Sequence, residues 1–236
     1  MRTATEWKNA LAAVARPEKI AILSGFFKTG KGEYGEGDVF IGISVPDNRK
    51  VAKLAVGASW PVVEEMLDSP VHEHRLSALL ALTLRFPRAD ERERWQIVDF
   101  YLAHTAQINN WDLVDLSAPQ IIGKQMLFCP EFDPTVALCG GGLWECRIGI
   151  VATMTLIHAG KFDVAIRNIE RLLHHPHDLI RKANGWMLRE IGKKDESALL
   201  AFLDCRAAAM PRTALRYAVE RLSPEKRRHY MGQRQM

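Results

Sequence analysis

LDSPVHEHRLSALLAL (Leu67–Leu82) and LHHPHDLIRKANGWML (Leu173–Leu188) are two copies of one pattern, set 106 residues apart. Under that offset Pro70 falls on Pro176, Arg75 on Arg181 and Leu82 on Leu188. In each copy a proline precedes a run of apolar residues at three- and four-residue spacing. This is how a helix reads when it starts behind a proline-bearing turn. The offset of 106 is about three times 35, so intervening units are expected. A further copy begins at Pro211, where Arg216 again follows the proline by five residues, and Trp111 and Arg147 fill the gap at steps of 36. The aligned column reads Arg75, Trp111, Arg147, Arg181, Arg216.

A period of 34–36 residues with two helices per unit predicts an all-α fold. The expected architecture is a HEAT-like α-solenoid of about six helical pairs, a single domain over residues 1–236. In such an array the second helix of each pair lines a curved, concave groove, which the column would make basic. Arginines ~10 Å apart, the usual helix-packing distance, would track a phosphate backbone. The alternative is that they brace neighbouring repeats through salt bridges. The rest of the chain agrees with a helical array. Apolar residues recur with helical period through Leu76–Leu84, Trp95–Leu102, Ile148–Ile157, Ile180–Leu188 and Leu199–Leu203. The one good strand candidate is Val39–Val45, broken by Gly42 and closed by Pro46.

Composition sets wider limits. A hydrophobic content of 47% over 236 residues can supply a continuous core, and 25% charged residues argue against long disorder. The net charge is only +4, but it is unevenly spread: residues 177–236 hold thirteen Lys/Arg against seven Asp/Glu, and residues 109–170 hold four against seven. That asymmetry fits phosphate binding at one end, or simply a solvated helical surface. The four cysteines show no CxxC pair and read as reduced thiols. His72 and His74, and His174, His175 and His177, each adjoin a proline and read as turn and capping positions, with a metal site as the alternative. The N-terminal stretch lacks the apolar centre of a signal peptide, and no run approaches the ~18 residues of a membrane span. The expectation is a soluble, monomeric protein of the cytoplasm, nucleoid-associated in a prokaryote, with no membrane contact.

Within NNWDLVDLSAP (Asn109–Pro119), Trp111 and Asp115 stand one helical turn apart and share a face. Asn109 or Asn110 can cap this helix, and Asp112 can serve its first turn. Asp115 lies about a turn past the cap, so capping explains it less well than it explains Asp112. An indole and a carboxylate set in an otherwise arginine-rich column point to a surface that holds an anion and acts on it chemically.

Four segments carry a family resemblance: FIGISVPDNRK (Phe40–Lys50), NNWDLVDLSAP, LWECRIGIV (Leu143–Val151) and IRKANGWMLREIG (Ile180–Gly192). In their order along the chain they resemble the AlkD-type DNA alkylation repair family, HEAT-like glycosylases for alkylated purines. The resemblance implies that Asp115 is the catalytic carboxylate, that Trp111 and Trp186 are aromatic walls, and that Arg147 lies beside them. It implies duplex DNA carrying alkylated purines as the partner, and no cofactor or metal. The DNA-binding set expected from the column, the matching segments and the Gly-rich stretch before Phe40 is Lys28, Lys31, Tyr34, Arg49, Arg75, Arg181, Lys182, Arg189 and Arg216. Where the family often carries two arginines after its proline, this chain has Pro46-Asp47-Asn48-Arg49, one arginine fewer. The Gly-rich stretch Phe26–Val39 lacks the Lys-Ser/Thr ending of a phosphate loop. It reads as a mobile DNA-facing loop bearing Lys28, Lys31 and Tyr34, or as a structural turn. Two further expectations stand beside glycosylase activity: a non-catalytic binder of DNA structure on the same scaffold, and a protein-interaction scaffold.

Overall fold

The computed structural model describes residues 1–232, and the regular structure among them is helical. Residues 1–117 and the residues from 118 onward form two compact units. The first unit holds α1 (Ala4–Ala12), α2 (Ile20–Phe26), α3 (Val45–Lys53), α4 (Trp60–Leu67), α5 (His72–Arg85), α6 (Glu91–Ala103) and α7 (Trp111–Ser117). The second opens on a π-helical turn, Pro119–Gly123, followed by α8 (Lys124–Phe128), α9 (Thr135–Leu138), α10 (Leu143–Val151), α11 (Met154–His158) and α12 (Asp163–Arg171). It continues through α13 (Asp178–Lys194), α14 (Glu196–Arg206), α15 (Arg212–Ala218) and α16 (Pro224–Gly232). The helix order is that of an α-helical repeat fold.

The two matching stretches become the central helix of each unit. Every residue of α5 from His72 to Leu82 is buried, and this helix packs against α3, α4 and α7. A helix buried on all sides needs apolar residues all round rather than a stripe, and Leu76, Leu79, Leu80 and Leu82 supply them. In the second unit α13 packs against α10, α11, α14 and α15. The approach of α13 to α15 is close at Gly185, where a Cβ would lie 2.3 Å from the Ala214 carbonyl oxygen. Helix starts follow local capping chemistry. Thr3, Ser44, Asp90 and Asp195 each accept a backbone N–H of the following first turn.

Two expectations are corrected. The stretch Val39–Val45 is not a strand: Val39 makes one isolated bridge to Val71, and α3 already begins at Val45. Its backbone is used otherwise, because the N–H groups of Ile41, Gly42 and Ile43 all donate to the Glu73 carboxylate at 2.8–3.1 Å. Gly42 sits at φ +88° with its Cα against the Arg16 carbonyl, a place no side chain could occupy. The run Ile148–Ile157 is two helices, α10 and α11, separated at Ala152–Thr153, where the Thr153 hydroxyl turns back to the Ile150 carbonyl.

Candidate functional site

Helix α7 carries the two residues that the sequence singles out, and its N-terminus is tightly fixed. The Asn110 side chain accepts the Trp111 backbone N–H at 2.8 Å, and the Asn110 carbonyl accepts from Val114. Asn110 is therefore the capping asparagine. Asp112 accepts the Leu113 N–H with one oxygen and faces His72 Nε2 at 2.9 Å with the other. Trp111 and Asp115 are both half-buried, one turn apart.

His72, at the start of α5, is the centre of a charged cluster in this unit. Its Nδ1 lies 2.9 Å from Asp38 and its Nε2 2.9 Å from Asp112. Both neighbours are carboxylates, which accept and do not donate, so both ring nitrogens must carry hydrogen and the ring is an imidazolium. Burial alone would depress its pKa, but Asp112 and Asp38 together outweigh it and raise the value to about 9. Burial likewise works to raise the Asp38 pKa, and His72, Arg75 and Asn110 overcome it and bring the value below the usual carboxylate range. Arg75 pairs with the second oxygen of Asp38 at 2.5 Å and also donates to Asn109.

This cluster fastens the segment before Phe40 onto α5 and α7. The Gly-rich stretch is a built turn: Lys28, Gly32 and Gly37 have positive φ. A Cβ on Gly35 would lie 2.4 Å from the Phe27 carbonyl oxygen. Asp38, at the end of the turn, is the residue held by His72 and Arg75. At its start Phe27 stacks on Trp111 (ring centroids 5.1 Å apart, 17° between planes) and on Phe40 (5.0 Å, 17°), and Phe40 stacks in turn on His72. Lys31 is exposed, Tyr34 is half-buried, and Lys28 reaches Glu33 at 3.9 Å.

Arg75 corrects the reading of the column. It is 4% exposed and bound to Asp38, Asn109 and the Ser69 carbonyl, so it braces the turn before its own helix. Arg181, its counterpart in the second unit, does the same: its Nε donates to the carbonyl of His175, six residues upstream as Ser69 is from Arg75. Arg147, on α10, is 5% exposed and donates to the Leu179 carbonyl at 2.8 Å, tying α10 to α13. On α13, Lys182 pairs with Asp178, Trp186 donates its indole N–H to Glu190 at 3.1 Å, and Arg189 pairs with Glu220. Arg49 and Arg216 are exposed.

His177 caps α13 and His175 accepts the His177 N–H, as turn positions should. His72 is not such a position. The sequence reading missed it, together with Asp38 and the role of Asp112, because 34 and 40 residues separate His72 from its two partners. No local spacing signals such a set.

A profile of the DNA alkylation repair enzymes matches residues 7–222 of this chain. Among solved structures, the chain is similar to a predicted DNA alkylation repair enzyme from Enterococcus faecalis, with TM-score 0.70 and 18% identity over 89% of this chain and 97% of that one. No curated protein matches.

Proposed function

The chain belongs to the DNA alkylation repair enzyme family, and on that footing we propose that it hydrolyses the N-glycosidic bond of purines alkylated at N3 or N7 in duplex DNA. The observation that carries this reading is α7, where a half-buried carboxylate and an indole share one face of a helix whose start is clamped by Asn110 and the His72 cluster.

A purine alkylated at N3 or N7 is cationic and leaves readily, so no general acid is needed on the base. The demand falls on the sugar, which becomes oxocarbenium-like as the bond breaks. Asp115 stabilises that cation and orients the attacking water. At ~4 Å and an effective dielectric of ~20 the attraction is about 4 kcal/mol, roughly a thousandfold in rate. The Trp111 indole, on the face of α7 that carries Asp115, attracts the cationic base. Arg147, in the second unit, is proposed as a phosphate contact. The exposed cations Lys28, Lys31, Arg49 and Arg216 are proposed to carry further backbone contacts, and Tyr34, Arg181, Lys182 and Arg189 are proposed as additional ones. None of these steps calls for a metal or an organic cofactor.

The test is a duplex carrying one N7-methylguanine, incubated with the protein and scored for abasic sites. Abasic sites above the spontaneous rate are expected. Tight duplex binding without excision would transfer the protein to the non-catalytic binders, and neither binding nor excision would leave an interaction scaffold.

A further inference from the structure

The turn from α11 into α12, in the second unit, is held at several points. The Lys161 N–H donates back to the Leu156 carbonyl at 2.9 Å, and Gly160 adopts the φ of +77° that this helix end requires. The loop between α8 and α9 is tied to the same helix, because its Asp133 accepts the Thr135 N–H and pairs with Arg167 of α12 at 2.6 Å. Between these fixed parts lies a cavity of about 480 Å³, within the range of small-ligand sites. The buried Met126 and Leu156 and the half-buried Phe162 and Val164 give it an apolar lining. Two exposed charged residues, Lys161 and Asp163, stand at its rim. Unlike Asp133, whose carboxylate is committed, neither side chain has an ion-pair or hydrogen-bond partner among the described residues, each other included.

We propose that this cavity binds a free α-amino acid with a large apolar side chain. The side chain lies against Met126, Leu156, Phe162 and Val164, the carboxylate on Lys161 and the ammonium on Asp163. A ligand with a single charge would meet one attractive and one repulsive neighbour at this rim, and a neutral ligand would match neither. A zwitterion meets both favourably. Burial of its apolar body supplies the larger share of the affinity, and the two rim charges set the selection. Because the Gly160 turn and the Asp133–Arg167 pair already fix the walls, little has to be ordered on binding. None of these residues belongs to the set assigned above to DNA or to the lesion. The inference goes beyond the glycosylase reading and does not depend on it.

The experiment follows the backbone amides of the whole protein by two-dimensional NMR during titration with three probes. L-phenylalanine carries both charges, L-phenylalaninamide lacks the carboxylate, and N-acetyl-L-phenylalanine lacks the ammonium. Phenylalanine should give saturable shifts at residues 160–164, and each capped form should bind about two- to fivefold more weakly, as for loss of one exposed ion pair. Lys161→Met should bring phenylalanine down to the affinity of its amide and leave the N-acetyl form the weaker of the three. Asp163→Asn should do the converse, equalising phenylalanine with the N-acetyl form. Both residues are exposed, so neither variant disturbs the core. No saturable shift at residues 160–164 within the solubility of phenylalanine would overturn the site. Capped forms that bind as tightly as phenylalanine, or differences that both variants leave intact, would overturn the zwitterion. Abasic-site formation enters none of these readouts, so failure of the glycosylase reading would leave them standing.

Discussion

Asp115→Asn keeps the shape of the side chain and removes the charge proposed to face the developing oxocarbenium ion. Excision of N7-methylguanine, followed in single turnover, should fall by about a hundredfold or more, with duplex affinity little changed. Asp112→Asn is not a neutral companion to that variant. Asp112 is buried and holds both His72 and the Leu113 N–H, so its loss should cost about 1.5–3 kcal/mol in urea denaturation, as for a hydrogen bond to a charged group. His72→Gln should cost more, about 3–5 kcal/mol, because two buried carboxylates then lose their shared cation. The pairing of Trp111 with Asp115 was legible in the sequence because four residues is the repeat of a helical face. The environment that fixes them was not, since Asp38, His72 and Asp112 meet only through the packing of three separate segments.

At the scale of the element, the sequence foretold α5 and α13 well, because leucine-rich periodicity behind a proline has few other readings. It misjudged Val39–Val45, whose apolar, β-branched run resembles a strand but whose N–H groups at Ile41, Gly42 and Ile43 are consumed by the carboxylate of Glu73. The packing of α13 on α15 gives a direct test. Gly185→Ala would drive a methyl group to 2.3 Å from the Ala214 carbonyl and 2.6 Å from Tyr217 Cβ, and should destabilise by about 1–3 kcal/mol in denaturant titration. Gly57→Ala, which meets nothing within 4 Å, is the matched control and should be close to neutral. The clamp on α5 and α7 has a pH signature of definite sign. An unfolded histidine loses its proton near 6.5, while folded His72 keeps its own to about 9. The clamp's stabilisation is therefore complete below pH 6.5, declines as pH rises through 9, and is absent above. The stability difference between wild type and His72→Gln, measured from pH 6 to 9.5, should shrink across that window.

For the molecule as a whole, the expected partner is a polyanion, and binding to duplex DNA should weaken with salt at a log–log slope of about −0.9 per phosphate engaged. Arg216, exposed on α15, is the column member suited to test this: Arg216→Ala should flatten the slope by ~1 for all sequences alike. Arg75→Ala should leave the slope alone and lower stability, because its charge is committed to Asp38. Affinity indifferent to salt would show that the arginines serve only as braces, the alternative their spacing already allowed. The imidazolium of His72 offers one more view of the first unit. With each ring proton trapped between nitrogen and a carboxylate oxygen, neither can exchange with water until that face of the unit opens. In a proton spectrum both should persist as separate far-downfield lines, and the rate at which deuterium replaces them would time the unit's breathing around α7.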